Sequence, residues 1–508
     1  MTSSEVPGKA GTREWIGLAV IALPCVIYSM DLMVLNLAVP QLSEELKPSA
    51  SQLLWIIDIY GFFVAGSLII MGNLGDRIGR RKLLMIGALA FGAASVFAAF
   101  SSSAAMLIMA RAVLGVAGAT LAPSTLSLIR NMFHDPTERT TAIGIWVASY
   151  SIGGAVGPLF GGLLLEHFWW GSVFLVNVPI MILLLILAPI LLPEFRDPAA
   201  TRLDILSAAL SLLAVLAVIY GLKQFAEYGA GLRPLLSVLV GIVLAYVFAR
   251  RQRQLADPLI DLTLFRRPAF SASLTVYMLG VLVAFGFFLF ISQYLQLVLG
   301  MGPLEAGLWT APSGLVFMLS SMLAPRFVRK LHPAYVMAGG LAVAALACLL
   351  LSLVGSSYGL AVVMSGFVIL SLGLAPVFTL ATDFVVTSAP PERAGAAAAI
   401  SETSAEVGGA LGIALLGSIM TAIYRGAMSA AIPLDTPPYA AEAALGTLGG
   451  AVAVAKDLPA EIGATLLASA RLAFTDALAT TAVISAVIAV AAALLAILML
   501  RRVEPVAH

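Results

Sequence analysis

In the stretch "AAAAISETSAEVGGALGIALLGSIM" (396–420), two carboxylates, Glu402 and Glu406, interrupt an apolar run long enough to cross a bilayer. Four residues on a helix turn through roughly 400° and rise about 6 Å, so the pair projects from nearly one stripe. An ionised acid near the middle of a membrane costs roughly 2.5–3.5 kcal/mol on insertion scales, so two in one span call for a purpose. Close carboxylates in a low dielectric repel when both are ionised, and at least one of them should exchange a proton readily. That is the property a proton-coupled carrier requires. The other role open to a buried acid, permanent protonation onto a backbone or serine partner, explains one glutamate better than two. Ala405, Gly409 and Gly412 share the stripe, and their small size is expected to leave room beside the acids.

Three further charges fall inside apolar runs. Asp31, in "MDLMVLNLAVP" (30–40), and Arg111, in "LIMARAVLGVAGA" (107–119), are expected at similar depth, and a cation there must find an anion or water. In "LWIIDIYGF" (54–62), Trp55 and Asp58 are three residues apart and share a helix face. An aromatic ring beside a carboxylate suits an organic cation. The same two residues also suit an interfacial belt in which Asp58 reaches external water. Asp383, Glu166 and Glu305 lie at helix ends or in loops, where an acid can be solvated. Cys25 and Cys348 sit in apolar runs and the four histidines in loops and the tail, so neither a disulfide framework nor a metal site is expected. No G-x-x-x-x-G-K-[ST] phosphate cradle occurs, so no cofactor is expected and any work must come from a gradient. A membrane-embedded enzyme would need a nucleophile or a His/Asp pair at membrane depth, and "HD" (134–135) is the only adjacent pair.

The elements that must position these residues follow from composition. Of 508 residues, 61% are hydrophobic and 11% charged, and mean hydropathy is +1.02, which indicates a polytopic membrane protein. A net charge of +1 gives no sign of a nucleic-acid partner. The first apolar run lacks a small-residue cleavage site and reads as a retained helix. Apolar runs of spanning length begin near residues 15, 52, 83, 105, 140, 171, 203, 233, 268, 304, 334, 358, 396 and 478, which predicts fourteen transmembrane helices in an all-α fold. One long connection, about 425–476, reads as an external helical hairpin. Most of the 28 Lys and Arg residues fall in the tails and in loops on one side, so both termini are expected in the cytoplasm. Basic segments follow the second helix of each half, "NLGDRIGRRKL" and "APRFVRKLHP". They suggest a six-helix bundle over 1–197, a two-helix insertion over 198–256 and a second six-helix bundle over 257–508.

"GNLGDRIGRRK" (72–82) resembles the signature of the major facilitator superfamily, with Gly72, Gly75, Asp76, Arg77, Gly79, Arg80 and Arg81 at its positions. The resemblance implies a latch between the halves at the cytoplasmic face. "GGAVGPLFGG" (Gly153, Gly154, Gly157, Pro158, Gly161, Gly162) is similar to the superfamily's antiporter motif and implies export by exchange rather than uptake. Small residues there allow close packing, and Pro158 breaks the helical ladder. Together with the first-helix motif around Asp31 and the paired acids, these features resemble the fourteen-helix drug:proton antiporter branch over essentially the whole chain.

That resemblance implies a monomeric, multi-pass carrier in a bacterial cytoplasmic membrane that exports lipophilic organic cations, such as quaternary ammonium compounds, cationic dyes and biguanide antiseptics, in exchange for protons. Asp31, Asp58, Glu402 and Glu406 would carry protons or the cation, with Arg111 as charge partner and Tyr28, Trp55, Trp146 and Tyr150 as the aromatic surface for cargo. An exporter of one specific metabolite on the same fold is the alternative. The tenth span, "GLWTAPSGLVFMLSSMLAP", has no acid in its interior, which sets this chain apart from members that carry one there.

Overall fold

Without water to satisfy them, peptide groups inside a bilayer must bond within their own segment, and long apolar runs therefore become helices. The computed structural model describes residues 9–48, 50–196, 204–228, 231–255, 258–355, 359–433 and 435–501. They form α1 (Thr12–Leu46), α2 (Ala50–Ile78), α3 (Arg80–Ala99), α4 (Ala104–Gly118), α5 (Leu121–Met132), α6 (Pro136–His167), α7 (Ser172–Leu175), α8 (Asn177–Leu191), α9 (Ile205–Tyr228) and α10 (Leu232–Gln252). The second part holds α11 (Pro268–Gln293), α12 (Pro303–Val328), α13 (Pro333–Leu351), α14 (Gly359–Ser388), α15 (Ala394–Ala431), α16 (Pro438–Gly446), α17 (Leu448–Ala455) and α18 (Ala460–Leu500). No strand occurs among the described residues. Local chemistry sets several helix starts: Asp135 accepts from Glu138 N at 2.9 Å ahead of Pro136 in α6, and Ser103 accepts from Met106 N in α4.

Thirteen segments among the described residues are long and apolar enough to span a membrane; α4 with α5, and α7 with α8, each make one. The fourteenth expected span, α6, has the length at 32 residues but falls outside that group. Its sequence is rich in Gly, Ser and Thr. It packs on α1 in its own half and on α12 in the other, so much of its surface meets protein instead of lipid.

α1 to α8 pack as one bundle and α11 to α15 with α18 as another. The halves meet through α6 with α12 and α14, and through α2 and α5 with α15. α9 lies against both α2 and α15, and α10 covers α9, exposing Leu235, Leu239, Ile242 and Tyr246 as a face for lipid. The domain limits expected at 197/198 and 256/257 lie outside the described residues. Between α15 and α18 the chain forms two short helices, and "PAEIGATLLASARLAF" is no hairpin arm. It is the start of α18, which continues unbroken for 41 residues. Helical spacing was legible in that segment; its continuity with the last span was hidden by polar insertions.

Candidate functional site

The rotation of α15 is fixed by its small residues. A Cβ on Gly72 of α2 would stand 2.5 Å from both Gly395 O and the Ala399 side chain, and one on Gly412 would stand 2.3 Å from Leu282 O of α11. Backbones this close pin α15 between the halves. Gly409 and Gly412 thus pack on Phe285 and Leu282 of α11 and do not leave the open space expected beside the acids. Glu406 reaches the other side, toward Tyr28 of the first half. Glu402 and Glu406 stand about 12 and 18 Å along α15, near the middle of a bilayer-sized core.

The wall they face is aromatic. Tyr28 donates to Glu406 Oε1 at 3.2 Å, across the halves. Its ring lies 5.9 Å from Tyr60 and 5.7 Å from Tyr150, and Tyr150 meets Trp146 edge-on at 4.9 Å. Trp146 Nε1 donates to Thr125 Oγ1 at 2.9 Å and locks that end of the wall. Tyr277 of α11 is close enough to feel the charge of both glutamates. Glu402 Oε1 and Tyr60 OH are buried without a hydrogen-bond partner among the described residues. A buried carboxylate oxygen left without a donor costs free energy that either a proton or a cation would recover.

The other expected acids are engaged. Asp31 pairs with Arg111 at 2.7 Å and accepts from Asn177 Nδ2 at 3.3 Å, and Arg111 also donates to Ile56 O at 3.2 Å and lies 4.6 Å over the Tyr60 ring. With side chains 4% and 1% exposed, Asp31 and Arg111 form a buried ion pair inside the first half. Asp58 pairs with Lys223 of α9, whose ammonium sits 4.9 Å from the centroid of Phe62. Trp55 is 42% exposed and tilts toward Phe62 at 6.2 Å; it does not join the aromatic wall that Tyr28, Trp146 and Tyr150 build.

At the end of the bundle that carries "GDRIGRRK", the halves are latched. Asp76 accepts from Arg80 Nε at 2.9 Å and from the first amides of α15, Gly395 N at 3.1 Å and Ala396 N at 3.0 Å. A carboxylate at a helix N-terminus satisfies donors that have no partner within the helix. Arg80, 1% exposed, crosses the same seam to Pro391 O at 2.7 Å and Glu392 O at 3.0 Å. Arg77 donates to Asn73 at 2.6 Å, and Arg81 bonds Pro189 O, Leu192 O and Glu194, all in the first half. Gly79 takes φ +109°, and a Cβ there would meet Glu194. Gly75 lies against Leu83 and Ser124 within the same half. A second cross-seam lock joins Arg139 Nε to Asp383 Oδ1 at 3.1 Å and Thr140 Oγ1 to Asp383 Oδ2 at 2.8 Å. Asp383 is therefore buried and paired, not solvated as expected; Glu166 and Glu305 are exposed.

The glycine-proline segment packs α6 on α1. A Cβ on Gly153 would stand 2.2 Å from Val26 O, and Gly154 and Gly157 face Ser29 and Met30, whereas Gly162 faces open space. Gly161 is buried, and the side chain of Pro158 lies outside the described residues. An apolar groove of about 400 Å³ between α2, α3 and α4, lined by Phe63, Met71, Leu83 and Val113, holds none of the acids. Among the described residues, no group of three His, Cys, Asp or Glu side chains is placed to hold a metal ion.

Residues 21–413 match the model of the Major Facilitator Superfamily. The chain belongs to that superfamily. Its relatives include the multidrug efflux pump LfrA of Mycolicibacterium smegmatis, 44% identical over 96% of each chain. The methyl viologen resistance protein SmvA of Salmonella typhimurium is 35% identical over 91% of this chain and 93% of its own. The tetracenomycin C resistance and export protein of Streptomyces glaucescens is 31% identical over 97% and 93%. Among solved structures, the human organic anion transporter MFSD10 superposes with a TM-score of 0.60 at 15% identity, covering 94% of this chain and 99% of that one. A bacterial homologue of the lysosomal transporter Spinster gives 0.58 at 18%, covering 97% and 98%. At such identities these two show the fold alone. As a superfamily member the chain is a multi-span membrane transporter rather than an enzyme.

Sequence reasoning missed Tyr60, Tyr277, Arg139 and Lys223. An aromatic or a cation near a helix end has an ordinary interfacial explanation, and only the packing shows where each one points. Arg139 and Asp383 are 244 residues apart, with no spacing rule to connect them.

Proposed function

We propose that the protein is a proton-coupled multidrug efflux antiporter that exports lipophilic organic cations from a bacterial cytoplasm by alternating access, as a monomer with both termini inside. The observation that carries this reading is the buried Glu402 Oε1, without a hydrogen-bond partner among the described residues, one helical turn from Glu406, which bonds the aromatic wall of Tyr28, Tyr60, Tyr150 and Trp146 through Tyr28. Carboxylates supply the countercharge and ring faces receive the flat, greasy part of the cargo. The names of LfrA, a multidrug efflux pump, and SmvA, a methyl viologen resistance protein, support drug efflux.

In the mechanism, the two locks at the basic end, Asp76–α15 and Arg139–Asp383, part to admit a cation from the cytoplasm or inner leaflet. The cation displaces protons from Glu402 and Glu406. After the locks reform, external protons return and release it. Inward proton movement supplies about 2.3 kcal/mol per charge per 100 mV. Exchange of one proton for a monovalent cation moves no net charge and draws only on the pH gradient; two protons also draw on voltage. The tetracenomycin relative supports a second reading, export of one specific metabolite, but an acid pair facing aromatic rings favours cations.

Inverted vesicles acidified inside and loaded with a pH probe test the proposal. Ethidium or a quaternary ammonium compound should collapse the gradient with the intact protein and fail to do so with Glu402→Gln or Glu406→Gln. No proton efflux with any of these cations would sink it.

A further inference from the structure

Lys223 is absent from every motif, yet it lies near the junction at which α2, α9 and α15 pack together. It lies near the end of α9, one turn beyond Ile219. Ile219 packs with Phe62 and Ala65 of α2 and with Val407 and Ala410 of α15. A lysine at a span end can extend its ammonium to the headgroups. This one turns inward instead: the ammonium bonds Asp58 Oδ1, sits 4.9 Å from the Phe62 ring centroid, and is near enough to Glu406 for their charges to interact. The pair is also accessible. Its side chains are 38% and 33% exposed, against 1% and 4% for Arg111 and Asp31. An ammonium seated between a carboxylate and an aromatic face is the same recognition that an organic cation would use.

We propose that Lys223 is a tethered cation that competes with cargo: it masks Asp58 until cargo binds, and its displacement exposes Asp58 as a second carboxylate, alongside Glu406, for the second charge of a dication. The inference rests on the cation-export reading. Glu402 and Glu406 hold the first charge against the aromatic wall. Asp58, on the α9 side, takes the other only after the lysine leaves. Lys223 thus sets the balance between monovalent and divalent cargo, and the central pair supplies a specificity residue that a six-plus-six bundle lacks.

The test measures equilibrium binding of tetraphenylphosphonium, a monocation, and dequalinium, a dication, to the purified full-length protein. Lys223→Gln should tighten dequalinium by about fivefold, the scale of one partly exposed ion pair, and change tetraphenylphosphonium by less than about twofold. Lys223→Arg should keep the wild-type ratio of the two affinities. Asp58→Asn should weaken both cations, because the freed ammonium turns to Glu406, and it should remove the dication gain when combined with Lys223→Gln. An unchanged affinity ratio in monodisperse Lys223→Gln overturns the inference while leaving cation export intact; should that variant not fold, unchanged binding of both cations by Asp58→Asn overturns it. If the wild type binds neither cation, both readings fall, since the lysine has no cargo to compete with.

Discussion

The latch at the basic end and the glutamate pair at mid-depth of α15 are both built from carboxylates within the helix bundle, but they treat them oppositely. Asp76 receives an arginine and two helix amides, and Asp383 receives Arg139 and Thr140. Glu406 receives one tyrosine hydroxyl, and Glu402 Oε1 receives no donor among the described residues. A fully satisfied acid holds two bodies together; an unsatisfied one is available to a proton or a guest. Asp31, tied to Arg111 and Asn177, belongs with the first kind although it lies at the depth of the second.

The comparison breaks most sharply at Arg111. Arg111→Ala leaves Asp31 buried without its cation and should cost about 3–5 kcal/mol, seen as a large fall in Tm or loss of monodisperse protein. Glu402→Gln neutralises a carboxylate whose Oε1 is buried with no hydrogen-bond partner among the described residues, so Tm should hold or rise while proton-driven transport is lost. A Glu402→Gln protein as unstable as Arg111→Ala would place that acid among the structural ones.

Asp76→Asn should come next. Loss of the negative charge at the α15 N-terminus is worth up to about 2 kcal/mol and should shift the halves toward opening at the basic end, read as faster thiol labelling of a cysteine placed at Ala396. Unchanged labelling would deny the latch its role. Asp383→Asn should act in the same direction but by less, about 1 kcal/mol, because Thr140 and Arg139 can still bond the amide.

The smallest effect belongs to Asp204, beside the start of α9, where Arg251 donates at 2.8 Å and Ser207 at 2.7 Å. The Arg251 hydrogen bond, then Ser207, holds its carboxyl down at about 2, below the ordinary 3.8. Since the folded value is the lower one, the stabilisation is fully present above 3.8 and is lost as pH falls through about 2. Asp204→Asn should leave Tm at neutral pH nearly unchanged, since a solvent-facing pair is worth little. A large loss would show that this pair, and not α9 packing, holds the central helices.

Much of this division was legible in the sequence, wherever a charge and its partner share a helix or a motif. Asp76 and Arg80 are one turn apart, Glu402 and Glu406 likewise, and common depth joined Asp31 to Arg111. What the sequence concealed is direction. Trp55 and Asp58 do share α2, yet the ring goes outward and the acid to Lys223, 165 residues away. Gly409 and Gly412 marked a packing seam with α11, not a void, because a missing side chain admits a neighbouring backbone as readily as a ligand. The polar face of α6 could not reveal that α12 of the other half covers it.

The central claim is that Glu402 and Glu406 yield protons to an incoming cation. Calorimetric titration of the purified protein with tetraphenylphosphonium, in buffers of different ionisation enthalpy, counts the protons released per cation bound. The account predicts release by the wild type and a clear drop in both Glu402→Gln and Glu406→Gln. Binding with no proton release in the wild type, or the same release in both variants, would contradict it.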